Sequence, residues 1–126
     1  MSYTYSPKPE KSAKVIGRGL RISPRSSVTV CRAINGKHVS KGGRLLADIL
    51  ARKRSLNGKY YDNCVSTIAD LLKNAEANAE AKGLDPSKLM IHASSHRGYS
   101  FRRPRRFKMR GQARKIANVQ IVLQER

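Results

Sequence analysis

Residues 89–123 read LMIHASSHRGYSFRRPRRFKMRGQARKIANVQIVL. Leu89, Ile91 and Ala93 recur at every second position at one end, and Val119, Ile121 and Leu123 do the same at the other. That is the period of a strand with one buried face. Between them lies GYSFRRPRRFKMRG, residues 98–111, in which six of fourteen residues are Arg or Lys and none is acidic. Two strand patterns joined by a basic loop predict a β-hairpin. A disordered tail would sit at a terminus, whereas both ends of this segment are tied down. With pairing from about Lys88 to Arg103 and back, each leg has roughly 15 residues, or about 50 Å. A body of this size does not cover that length, so the distal half is expected to project.

The side chains of the loop agree with an arm. Past Arg97 both faces become basic, so neither can rest on a protein core. A bare two-stranded ribbon is marginal in water, and the tip is expected to be mobile until bound. Arg and Lys neutralise phosphates, and the Arg fork matches phosphate oxygens. Tyr99, Phe101, Phe107 and Met109, spaced among the cations, are candidates to stack on bases or fill gaps between them. The alternative is a solvated, flexible cationic loop with no fixed partner. Loops this long are uncommon unless functional or disordered.

Working outward, the chain places helices before the hairpin. Asn63 to about Lys82 carries Val65, Ile68, Leu72, Ala75 and Ala79 at helical spacing, with Gly83 as C-cap. Before it, Val39 to about Lys53 forms a second helix with Leu45, Leu46, Ile49 and Leu50 on its apolar face. Gly42 and Gly43 are expected to weaken its first turns by about 1 kcal/mol each relative to Ala. A first helix starts with Ser23 as N-cap and Pro24 at the first helical position, and ends at Asn35-Gly36. The stretch AKVIGRGLRIS reads as an edge strand, and residues 1–12 as an extended N-terminal arm. The expected organisation is a single domain over 1–126, with a helical body and first strand over 13–87 and the extended hairpin over 88–124.

Charge narrows the partners. The chain of 126 residues has 27 basic and 8 acidic residues, a formal charge of +19. Such a body repels itself unless a polyanion neutralises it, with nucleic acid the first candidate and an anionic membrane the second. No Asp or Glu occurs from Pro86 to Gln124, while Asp62, Asp70, Glu76, Glu80 and Asp85 fall in one short stretch. One face is therefore expected to meet an anion while another faces water or a protein. No apolar run approaches the length of a membrane span, and the polar start MSYTYSPKPEKS does not read as a cleavable leader. Cys31 and Cys64 form no C-x-x-C motif and read as buried thiols. A cytosolic protein is the expectation.

Other constellations give less. His92 and His96 have metal-like spacing on a helix, but on a strand they stand about 13 Å apart and read as surface or RNA-facing side chains. No nucleophile motif and no pocket-like pair of carboxylates is present, so neither an enzyme nor a cofactor is expected. The helix pair around INGKHVS allows a helix-turn-helix reading. A DNA-binding regulator using that pair and the basic ribbon is the alternative function. A cationic membrane-active protein is a weaker one, since no helix combines a basic face with a broad aromatic face.

GRGLRISPRSSV, INGKHV, LLKNAEANAEAKGLD and the basic hairpin closed by VQIVL together resemble the universal large-subunit ribosomal protein twenty-two family. The likeness runs over roughly residues 3–124 and is strongest to the archaeal and eukaryotic branches. It implies an α+β fold, with three helices packed on a small antiparallel sheet and a long projecting basic β-hairpin. It also implies a structural constituent of the cytoplasmic large ribosomal subunit that binds ribosomal RNA, supports assembly and lines the peptide exit tunnel with its hairpin tip. The implied partners are that RNA, neighbouring ribosomal proteins and the nascent polypeptide, with the chain a monomer in the particle and no membrane insertion. Carried over, Arg97, Arg102, Arg103, Arg105, Arg106, Lys108, Arg110, Arg114 and Lys115 are the arm's RNA contacts. Arg18, Arg21, Arg25, Lys41 and Arg44 are those of the body. The tunnel tip falls at Arg103, Pro104, Arg105, Arg106, Phe107 and Lys108. One departure stands out: only RSLNGKYYDN occupies the place between the second and third helices, where archaeal and eukaryotic members carry a long basic, aromatic insertion.

Overall fold

The computed structural model describes residues 3–102, 108 and 110–126. Within them the chain is α+β. Three nine-residue strands, β1 (Ser12–Leu20), β2 (Leu89–Arg97) and β5 (Ala117–Glu125), form an antiparallel sheet in the order β1-β5-β2. Two-residue strands β3 (Phe101–Arg102) and β4 (Ala113–Arg114) pair with each other. Helices α1 (Pro24–Ile34), α2 (Val39–Leu50) and α3 (Asp62–Ala81) complete the order. As the apolar alternation requires, β5 is central, and Val119, Ile121 and Leu123 are fully buried. The register sets Ala13 and Ile91 on either side of Leu123, and Val15 and Ala93 on either side of Ile121. That face carries the helices: α1 on β2, α3 on β1 and β5, and α2 on α3 and the start of β2.

The sequence signals place the helices with small differences. α1 starts after Ser23 and ends at Ile34, as expected, although the Ser23 side chain makes no capping bond. α3 closes with Gly83 at φ +71, Leu84 N–H donating to Ala79 O and Gly83 N–H to Glu80 O, a Schellman end. α2 stops at Leu50 rather than Lys53, because Arg52 takes a left-handed φ of 62 and leaves the helical path. Its two glycines also differ from the expectation of simple weak points. A Cβ on Gly42 would meet Ile91 Cδ1 at 2.4 Å, whereas one on Gly43 would meet nothing within 4 Å. Gly42 lets α2 close onto β2; Gly43 does not.

Both sheet edges are occupied. Gly36 N–H donates to Ile91 O, and Ile91 N–H donates to Lys37 O, so the α1–α2 turn acts as a short partner for β2. At the other edge, Lys82 Nζ donates to Ser12 O at 2.9 Å and Asn78 Nδ2 to Lys14 O at 3.4 Å. Such cover removes a template for strand addition. The same hydrogen bonds hold the INGKHVS turn against the sheet, a physical argument for helix packing over a DNA-reading helix pair.

The N-terminal segment is not a free extended arm. Thr4 N–H donates to Gln120 Oε1 at 2.8 Å, and Tyr5 O–H donates to Gln124 Oε1 at 2.6 Å. The Tyr5 ring lies 4.3 Å from that of His92. The segment thus straps the sheet face opposite the helices, and a 3-10 turn at Pro9–Lys11 leads into β1. Gln120 is buried on that face, where its oxygen needs the Thr4 donor.

Candidate nucleic-acid interface

The interface is built from the end of the sheet that bears the arm. Arg97 ends β2 opposite Ala117, and Ala117 also pairs with Leu20 at the end of β1. Ser27 Oγ, in the second turn of α1, lies 2.6 Å from Ser95 Oγ of β2. These contacts bring the end of β1, the start of α1 and the root of the hairpin to one place. Arg18, Arg21, Arg25, Arg97 and Lys115 are all exposed there. Five cations at one sheet end, on elements fixed by the core, make a surface that repels cations and attracts phosphates.

A polar clamp fixes the root. β1 is irregular between Gly17 and Leu20, where Gly19 takes φ +65. The freed Gly19 N–H donates to Asn118 Oδ1 at 2.8 Å, and Asn118 Nδ2 lies 3.3 Å from His96 Nε2. Tyr99 lies over the same glycine, its ring 3.4 Å from where a Gly19 Cβ would stand. The ring is 68% exposed, so its outer surface is open to a stacking partner. Of the stacking candidates, Tyr99 is the one whose side chain the structure describes. Phe101 is placed by its backbone pairing with Arg114, while Phe107 and Met109 lie outside the described residues.

The hairpin is not one continuous ladder, which corrects the expected pairing from Lys88 to Arg103. Three residues separate Arg97 from Phe101 on the outgoing leg, but two separate Arg114 from Ala117 on the return. The extra residue is a bulge, which bends the ribbon and raises its twist. Gly98 makes it fit: its N–H donates to Ile116 O at 2.9 Å, and a Cβ there would stand 2.8 Å from Ile116 Cγ2. Beyond the bulge Arg102, Lys108 and Arg110 are exposed and Arg114 is half-buried. Arg103, Pro104, Arg105 and Arg106 lie outside the described residues, with most of the expected tunnel tip.

Two expected body contacts stand apart. Lys41 and Arg44 are exposed on α2, whose start is bridged through His38 to Met90. Met90 and Arg97 lie seven positions apart on β2, or about 23 Å, so Lys41 belongs to the far end of the sheet. Glu76, Glu80 and Asp85 are carried by α3 and the turn that leads into Leu89. Glu76, Glu80 and Asp85 therefore lie towards the Leu89 end of β2, mixed with Lys41, Lys82 and Lys88, whereas the Arg97 end carries the five cations of the root.

Other residues lie away from this surface. His92 is not an RNA-facing side chain: it is half-buried beneath Tyr5, and its Nε2 is buried without a hydrogen-bond partner. Burial, with help from the Arg126 charge, holds its pKa below the ordinary histidine value, against a raising contribution from Gln124. The strap is foreshadowed by Gln120 and Gln124 on the non-core face of β5 and by the alternating YTYS of residues 3–6. Cys31 and Cys64 are buried free thiols, as expected. Burial pushes the Cys31 thiol up to about 12, with a smaller contribution from Cys64.

Residues 15–123 match the model of the family described as ribosomal protein L22p/L17e. The chain belongs to that family. The large ribosomal subunit protein uL22 of Archaeoglobus fulgidus is 34% identical over 130 alignment positions, which span 85% of this chain and 84% of the relative. The proteins of that name in Methanosphaera stadtmanae and Methanocaldococcus jannaschii are 32% and 28% identical over 148 aligned positions, covering 98% and 99% of this chain. With 126 residues here, those relatives contain residues that this family member lacks. The α2–α3 connection is compact. Asn57 and Gly58 at φ 51 and 77 close a two-residue turn bridged by Leu56 and Lys59. Arg52 pairs with Asp62 at 2.8 Å and lies over the Tyr60 ring at 4.4 Å.

Proposed function

We propose that this chain is a non-catalytic structural constituent of the large ribosomal subunit, acting as a single RNA-binding domain. The observation that carries the reading is the convergence of Arg18, Arg21, Arg25, Arg97 and Lys115 at the root of a basic hairpin, in a chain of the L22p/L17e family. The cations neutralise ribosomal RNA phosphates and release counterions. The body, fixed by its core and its strap, sets the direction in which the arm enters the RNA. Tyr99 stacks on a base at the root, and Phe101, Phe107 and Met109 do so further along. Arg102, Arg103, Arg105, Arg106, Lys108, Arg110 and Arg114 bind RNA along the arm, and residues 103–108 reach the wall of the exit tunnel and the nascent chain. Lys41 and Arg44 make a second, separate RNA contact. Tying separated RNA segments together is the contribution to assembly, and the setting is the cytoplasmic ribosome, with the chain present as a monomer beside neighbouring ribosomal proteins.

No cofactor enters this role, and no helix among the described residues is long and apolar enough to cross a membrane. Sedimentation of a lysate through a sucrose gradient at moderate salt tests the reading. The chain should travel with the large subunit; recovery only in free fractions, or with chromatin, would overturn it.

A further inference from the structure

The surface between α2 and α3 differs in chemistry from the root of the hairpin. A hollow of about 240 Å³ lies between the helices, lined by Leu46, Leu50, Leu72 and Gly43 and by the charged side chains Lys73 and Glu76. Leu50 is 42% exposed there, and Gly43 leaves open space where a side chain would stand. A second hollow of about 250 Å³ continues towards the start of β2, lined by Val39, Ala79, Leu84 and Leu89. Glu76 lines both, with Lys73 beside it in the first, and Glu80 lines the second, so the two mainly apolar hollows meet at a carboxylate.

The carboxylates are unusual in this chain. Glu76 and Glu80 stand four apart on one helix, where like charges repel. Despite 27 basic residues in the sequence, neither makes a salt bridge among the described residues. Burial and the Glu80 charge make the Glu76 carboxylate harder to ionise, partly offset by Lys73. A cationic partner seated in the groove would relieve that repulsion, whereas an RNA backbone would add to it. An apolar floor with an acidic rim matches a segment that presents apolar anchors flanked by Lys or Arg.

We infer that the α2–α3 groove is a docking site for a basic, apolar-anchored polypeptide segment of another protein, with Leu50 and the Leu46–Leu72 floor taking its apolar side chains and Glu76 and Glu80 its cations. The inference stands on the chemistry of the groove alone. It places a protein contact on a surface separate from the cationic root, so one small domain bridges the two.

The test uses the full chain and a fluorescein-labelled helical peptide of Lys, Leu and Ala, with leucines at i, i+3, i+4 and i+7. A protein of charge +19 repels this probe everywhere except at a local acidic site. Saturable binding by fluorescence anisotropy is expected, weakened at least tenfold by the pair Glu76→Gln and Glu80→Gln. Gly43→Leu, which fills the hollow without meeting other atoms at its Cβ, should weaken it similarly. Thermal unfolding midpoints no lower than that of the wild type for both variants confirm that the fold is intact, and unchanged binding to a large-subunit RNA fragment supports the separation of the two surfaces. Absence of saturable peptide binding, or binding indifferent to both variants, would overturn the inference. So would RNA binding weakened by them, which would make the groove an RNA surface. Self-association of the chain abolished by them would make the occupant a second copy and equally refute it.

Discussion

Gly42 and Gly43 are neighbours in the first turns of α2, and exchanging each for alanine should give opposite results. Both changes gain about 1 kcal/mol of helix propensity. At Gly43 the new methyl meets nothing within 4 Å, so the gain should be kept. At Gly42 it would lie 2.4 Å from Ile91 Cδ1, where carbons rest about 3.5–4.0 Å apart. Ile91 is fully buried, and its backbone is held by Gly36 and Lys37, so relief must come from a side chain with little room. Overpacking of this kind costs about 1–3 kcal/mol, which cancels or exceeds the propensity gain. The two variants should therefore differ by about 1–3 kcal/mol. At about 4 °C per kcal/mol for a chain of this size, the midpoints separate by roughly 8 °C in the middle of that range. Thermal unfolding followed by far-UV circular dichroism measures it. Ile91→Val removes Cδ1 and supplies the cycle: in that background Gly42→Ala should become neutral or stabilising. Gly42→Ala as stabilising as Gly43→Ala, or equally costly with and without Cδ1, would refute the close-approach argument.

Two further perturbations read the root and the strap. Asn118→Ala strands the Gly19 N–H, so stability should fall by about 1–2 kcal/mol, with faster hydrogen exchange at the Gly19 amide; an unaltered exchange rate there would show that the clamp is not formed. His92, whose folded pKa is held below the ordinary 6.5 by burial and Arg126, binds its proton more weakly in the folded chain than in the unfolded one. Its contribution is therefore present above that value and lost as pH falls through the lower folded value. His92→Phe keeps a ring under Tyr5 and cannot titrate, so the wild-type midpoint should drop relative to this variant on acidification. Parallel curves for the two chains across that window would contradict the buried strap.

Much of the fold was legible because its signals are local and periodic. The alternation of Val119, Ile121 and Leu123 marks the most buried strand, and the spacing from Val65 to Ala79 marks α3; both patterns survive into the packed core. The end of α2 was less legible because it depends on a left-handed residue, Arg52, whose Asp62 partner lies ten positions away. The bulge at Gly98 was invisible for a similar reason: it is a mismatch between two legs, and neither leg alone records it. The strap was missed because Thr4 and Gln120 are 116 positions apart. For the interface, sequence alone identified a basic arm and an acid-free stretch from Pro86 to Gln124. That Arg18, Arg21 and Arg25 join Arg97 at one sheet end, while Lys41 stands at the other, follows from the register of β1 and β2 on β5.

The most direct test of the account is a density map of the assembled large subunit from the source of this chain. It should show residues 98–111 enclosed by ribosomal RNA, with phosphates within hydrogen-bond reach of Arg102 and Arg110 and a base against the open face of Tyr99. An arm left in solvent, with RNA touching other parts of the body instead, would contradict it.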